Sequence, residues 1–219
     1  GMDYMLFHAG DSMAAGLMAQ PEASKAGGSP PGWLGYVGVP DVDATAEKAK
    51  GLGATVYVEP RDIPGVGRFS VIADPQGAVI ALFHSDSEPP PELPMGTPGQ
   101  FGWSELYASD WEKAFPFYEA LFGWAKDQAM DMGEMGTYQL FAPAAGAPAM
   151  GGMFNKPPEV PATFWLYYAN VEAIDSAVER VNANGGKVLF GPMEVPGGAF
   201  VVQCQDPQGA MFALAGPRK

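Results

Sequence analysis

The chain is short of cysteine, histidine and positive charge, and it holds no long apolar run. Its single cysteine, Cys204, can form no intrachain disulfide, which excludes a disulfide-built secreted scaffold. Cys204 closes the apolar run Phe200-Val201-Val202-Gln203-Cys204, so a buried inert thiol is expected rather than a nucleophile. Lysine and arginine number 12 against 25 aspartates and glutamates, a net charge of −13. Such a surface repels nucleic-acid phosphate and anionic lipid, so no nucleic acid and no membrane is expected as a partner. Twelve of the acids precede residue 100 and 13 follow it, a solvated face rather than an acidic tail. No stretch approaches the ~18 apolar residues of a membrane span. The start, Gly1-Met2-Asp3-Tyr4, has no basic leader, and Gly1 before Met2 reads as the remnant of a tag. The localisation expected from these absences is cytoplasmic.

What is present builds a core. Of 219 residues, 47% are hydrophobic and 12% aromatic, while 17% are charged. That excludes intrinsic disorder as the main state and suits one or two domains. An internal repeat organises the chain. Asp74-Pro75-Gln76-Gly77-Ala78 recurs as Asp206-Pro207-Gln208-Gly209-Ala210, an offset of 132. Trp33-Leu34 with Trp165-Leu166, Pro60 with Pro192, and Pro64-Gly65 with Pro196-Gly197 keep that offset. Tyr4-x-Leu6-Phe7 matches Tyr138-x-Leu140-Phe141 at 134. The expected domains are 2–84 and 99–219, joined by a Pro-rich linker over 85–98.

The second half reads β-α-β-β(-β), then β-α-β-β-β. Strand patterns cover 101–107, 138–141, 150–154, 163–169, 187–190, 200–205 and 211–215. Ser109 or Asp110 caps a helix reaching Phe122 and ended by Gly123, with Pro116 as a point of kinking. A second helix spans 172–184. In the first half a strand at 33–39, a helix at 41–52 and closing strands find counterparts in this pattern. Tyr4 aligns with Tyr138, however, so nothing matches 101–122. The first domain therefore reads as lacking its initial strand and helix, which leaves a sheet edge and a core face for a partner to cover.

Phe117-Tyr118-Glu119-Ala120-Leu121-Phe122-Gly123-Trp124 resembles the F-Y-x-x-L-F-G-W signature of the glyoxalase/bleomycin-resistance/extradiol-dioxygenase superfamily, the vicinal oxygen chelate fold. The duplicated Asp-Pro-x-Gly turn and Gly185-Gly186 after the second helix resemble it further. The resemblance implies an α+β fold. Tandem βαβββ modules would form half-open curved mixed sheets around a cavity. It also implies metal-ligand positions, which fall on Trp103, Leu166 and Ala213, with Leu34 and Ala81 in the first half. None of these side chains binds a metal. The histidines, His8 and His84, both lie in the first half, and each reads as an ordinary strand-end residue. No metal and no cofactor is therefore expected.

Glu105 is the candidate catalytic residue. It lies two residues after Trp103, so in a strand both face one way, with Phe101 and Tyr107. A carboxylate among aromatics is disfavoured in its charged form by desolvation, which suits a base or an amine anchor. Trp103, Tyr107, Tyr138, Met153, Leu166 and Tyr168 are the candidate ligand-binding residues. Met150, Phe154 and Trp165 are further candidates for the lining. Pro64-Gly65-Val66-Gly67-Arg68 and Pro196-Gly197-Gly198 read as hairpins, with Arg68 as a possible anion anchor.

The leading functional expectation is a metal-free protein that holds an apolar or aromatic small molecule. One alternative is a related lyase, isomerase or dioxygenase with a displaced metal site or with Glu105 as base. Another is an interaction module completed by homodimerisation. The chemistry that would separate them is not readable from composition or spacing, because fold does not fix function.

Overall fold

A computed structural model of the chain describes residues 4–88 and 93–218. Of the linker expected over 85–98, residues 89–92 lie outside the described residues, as do Gly1 to Asp3. A hairpin comes first, β1 (Tyr4–Ala9) and β2 (Ser12–Met18), followed by the short helix α1 (Glu22–Ala26). Three modules follow in one pattern. The first is β3 (Tyr36–Gly38), α2 (Val42–Gly51), β4 (Thr55–Ile63), β5 (Gly67–Ala73) and β6 (Val79–Ser85). The next is β7 (Phe101–Ala108), α3 (Trp111–Phe122), β8 (Ala125–Asp131), β9 (Thr137–Ala142) and β10 (Gly151–Asn155). The last is β11 (Phe164–Asn170), α4 (Ile174–Ala183), β12 (Lys187–Glu194), β13 (Phe200–Gln205) and β14 (Met211–Gly216).

Each module is βαβββ, and in each the first strand pairs parallel with the last. The remaining neighbours are antiparallel, giving the orders β3-β6-β5-β4, β7-β10-β9-β8 and β11-β14-β13-β12. The fold is thus α+β with open mixed sheets. The described residues form two compact units, one from 34–88 with 104–165 and the other from 4–33, 93–103 and 166–218. Each draws on both sides of the 85–98 segment.

Local chemistry explains the elements. Asp110 caps α3 by accepting from the Lys113 backbone N–H at 3.1 Å, and Gly123 ends the helix with φ at 77°. The helix continues past Pro116, which sits on its exposed side. Its other side buries Trp111, Ala114, Phe115, Phe117, Tyr118 and Leu121. Tyr118 stacks on Trp124 at 5.4 Å and Trp124 on Phe141 at 4.7 Å, tying α3 to β9. In the other unit α4 buries Ile174 and Ala177 against Val202, Cys204 and Leu214.

The duplicated turn works alike in both copies. The Asp74 carboxylate accepts from the backbone N–H groups of Gln76 and Ala78, and Asp206 does the same for Gln208 and Ala210. An Asx turn needs a short carboxylate there and a glycine with φ at 97°, found at both Gly77 and Gly209.

Candidate functional site

The site is built on the three strands β7, β10 and β9. Their register pairs Glu105 with Gly152 and Gly152 with Leu140. Paired residues share a sheet face, and successive residues alternate. Glu105, Tyr107, Tyr138, Leu140 and Phe154 therefore lie on one face. Leu106, Gln139, Phe141 and Met153 lie on the other, beneath α3.

On the first face a carboxylate sits in an aromatic frame. Glu105 is 8% exposed, and the Tyr138 hydroxyl donates to its Oε1 at 2.8 Å. That bond stabilises the charged carboxylate. Tyr107 stacks on Phe164 and meets Phe154 edge-on, each with ring centroids 4.5 Å apart. Tyr138 lies 5.8 Å from Phe154. Tyr138, Phe154, Phe164 and Leu140 are half-buried, unlike the fully packed face beneath α3. The arrangement can grip a flat apolar body with rings while a carboxylate receives a hydrogen-bond donor or a cation.

The sequence-derived site residues distribute unevenly. Glu105, Tyr107 and Tyr138 come together, with Phe154. Met153 does not join them. It is fully buried on the α3 face because it pairs with Leu106 rather than with Glu105. Trp165 is also core, donating from Nε1 to the Tyr118 hydroxyl at 3.1 Å. Trp103, Leu166 and Tyr168 fall in the other compact unit. There Leu166 and Tyr168 share a face with Ala213 and Gln203, and the Gln203 amide donates to the Tyr168 hydroxyl at 3.2 Å. Phe164 and Gly152 are members that motif reading passes over. A phenylalanine before a tryptophan looks like core, and a strand glycine carries no side chain to suggest a role.

A metal does not fit the positions that the family resemblance implies. The positions implied by the family resemblance hold tryptophan, leucine or alanine, and among the described residues no group of three or more His, Cys, Asp or Glu could hold a metal ion. His8 lies in the exposed β1–β2 hairpin, while His84 Nδ1 is 3.1 Å from the Val39 carbonyl oxygen. Arg68 is no anion anchor either. Asp43 takes its guanidinium with two bonds of 2.6 and 2.8 Å, and Asp62 takes it at 2.7 Å. The Arg68 guanidinium in turn holds the Asp43 carboxyl below its ordinary range. Cys204 is fully buried, and desolvation pushes its thiol up to about 11, which keeps it protonated and unreactive. Among the described residues no helix is long and apolar enough to cross a membrane.

Comparison with known proteins places these features in context. The family model of the Glyoxalase/Bleomycin resistance protein/Dioxygenase superfamily matches residues 100–214. A candidate glyoxylase of Mycobacterium tuberculosis, CFP32, is 34% identical over 210 residues, covering 95% of this chain and 77% of that protein. The anthracycline biosynthesis protein DauV of a Streptomyces species is 31% identical over 192 residues, covering 85% of this chain and 66% of the relative. Among solved structures, the Mn(II)-bound glyoxalase of Novosphingobium aromaticivorans superposes with a TM-score of 0.59 at 15% identity. That match covers 84% of this chain and 62% of the other, so this chain spans under two thirds of its length.

Proposed function

The chain belongs to the glyoxalase/bleomycin resistance protein/dioxygenase superfamily, and from that premise we propose that it binds a flat aromatic small molecule without a metal ion. The carrying observation is the buried Glu105 carboxylate held by half-buried Tyr138 and framed by Tyr107, Phe154 and Phe164. The rings supply apolar area and stacking, and small-molecule sites are typically apolar with a few placed polar groups. Glu105 supplies orientation by accepting from an amine or hydroxyl of the ligand. The likeness to an anthracycline biosynthesis protein supports a polycyclic aromatic as the ligand class. The donor set supports metal independence, since neither the implied positions nor any cluster of side chains among the described residues provides ligands.

Daunorubicin, a fluorescent anthracycline bearing an amine, is the test ligand. Titration should quench its fluorescence at micromolar protein. The affinity should be the same before and after treatment with EDTA, and Glu105→Gln should weaken it about tenfold, as expected for loss of a charged hydrogen-bond acceptor. Binding that disappears with EDTA and returns with Mn(II) or Zn(II) would reject the metal-free reading.

A further inference from the structure

We propose that Tyr138 and Gly152 are positioning residues for Glu105, with the missing side chain of Gly152 forming the slot through which the Tyr138 phenol reaches the carboxylate. The inference rests on the binding reading above. Three strands take part. β10 lies between β9 and β7, and Gly152 stands opposite Leu140 on one side and Glu105 on the other. Tyr138 is two residues before Leu140, on the same face. From there its ring crosses β10 directly over Gly152. A Cβ built at Gly152 would overlap Cε1, Cζ and the hydroxyl oxygen of Tyr138. The hydroxyl then donates to Glu105 Oε1 on the third strand, at 2.8 Å.

The adjacent glycine shows the same logic on the opposite face. A Cβ at Gly151 would overlap the Phe141 ring and the Ser104 carbonyl oxygen. The Gly151-Gly152 pair thus clears room for one ring beneath α3 and for another over the site. The β1–β2 hairpin repeats half of the device. There Leu6 pairs with Gly16, and a Cβ at Gly16 would overlap the ring of Tyr4. No second strand pairs with β2 among the described residues. A tyrosine laid over a strand glycine is therefore a packing solution that this chain uses twice. The pair at 138 and 152 is distinguished by delivering its hydroxyl to a buried carboxylate.

The clash at Gly152 is with the far end of a mobile side chain, so alanine there displaces the ring instead of preventing folding. The experiment reads the Glu105 carboxyl carbon by NMR in protein labelled with 13C-glutamate, the resonance being assigned by its loss in Glu105→Gln. Tyr138→Phe keeps the ring and removes the donor, whereas Gly152→Ala keeps the donor and removes its place. Both should move the Glu105 resonance in the same direction, and both should weaken daunorubicin binding about tenfold. In a Tyr138→Ala background, Gly152→Ala should change nothing further, since no ring remains to displace.

A Glu105 resonance unmoved by Tyr138→Phe would overturn the proposal and leave Tyr138 with packing alone. A further shift on adding Gly152→Ala to Tyr138→Ala would overturn the role given to Gly152. Wild-type protein that binds no daunorubicin would count against the ligand reading, while the carboxyl resonance still decides the positioning role. Gly152→Ala protein that does not fold would also overturn the role given to Gly152, since the Tyr138 ring would then not be the part that yields, while Tyr138→Phe still decides the hydrogen bond.

Discussion

Asp74 and Asp206 occupy identical five-residue motifs, yet their side chains do different amounts of work. Both carboxylates hold their own turn. Only Asp74, 3% exposed, also accepts the Tyr118 hydroxyl, at 2.8 Å through Oδ2. The Tyr118 oxygen in turn accepts from the Trp165 indole. This chain of bonds joins the first module's turn to the signature helix α3 inside one compact unit. A buried polar network of this kind is costly to leave half-satisfied. Tyr118→Phe should therefore lower unfolding free energy by about 1–3 kcal/mol in urea titrations, the cost of orphaning buried partners. A change below a few tenths would show that water or a neighbour replaces the hydroxyl. Neither the motif nor composition distinguishes Asp74 from Asp206, because the difference lies in what packs against the turn.

The signature helix was legible at the level of elements, for physical reasons. Its cap, its apolar spacing and its terminating glycine are local signals, and α3 spans Trp111–Phe122 between Asp110 and Gly123 as they indicate. The cap is reinforced from afar. The Gln76 amide donates to the Asp110 carbonyl at 2.7 Å and accepts from the Asp110 N–H at 3.0 Å. Asp110→Ala removes the capping carboxylate but leaves those backbone bonds in place. It should cost about 1 kcal/mol, within the usual range for a lost N-cap, and lower the thermal midpoint accordingly. An unchanged midpoint would mean that Gln76 alone fixes the helix start. The pattern allows a third strand in this module but assigns β8 no residues. Its sequence, Ala125-Lys-Asp-Gln-Ala-Met-Asp131, is nearly all exposed and lacks the alternation of a half-buried strand. It is an edge strand held by pairing to β9, the next strand in the chain, and backbone pairing leaves no apolar pattern in the sequence.

At the scale of the whole molecule, the β1–β2 hairpin is the conspicuous surface. Tyr4, Met5, Leu6, Phe7, Met13 and Leu17 are each 43–59% exposed. Contiguous exposed apolar side chains of this size usually mark an interaction site. The hairpin also has a free β2 edge among the described residues, open to pairing. A second copy is the partner proposed for it, with only Asp11 carrying a full charge on the segment 4–18 to add to the repulsion of two −13 chains. Sedimentation equilibrium at micromolar concentration should find a species of twice the chain mass, and Leu6→Glu should return it to the monomer. A monodisperse monomer from the unaltered chain would reject homodimerisation.

The class of fold, the repeat and the residue types at the family's metal positions are all legible in the amino-acid sequence. These are properties of local pattern, duplicated motif and residue chemistry, and each survives without coordinates. The sequence also brought Glu105 and Tyr107 onto one face, because strand alternation is a local rule. Register, by contrast, is a property of the assembled sheet. A shift of one residue in the β7–β10 pairing would exchange the faces of Met153 and Phe154, and composition cannot choose between two apolar residues. The meeting of Tyr138 with Glu105 depends on that register, on β10 lying between their strands and on Gly152 having no side chain. A contact across three strands is set by pairing energy summed over the whole sheet, which no single stretch of sequence carries.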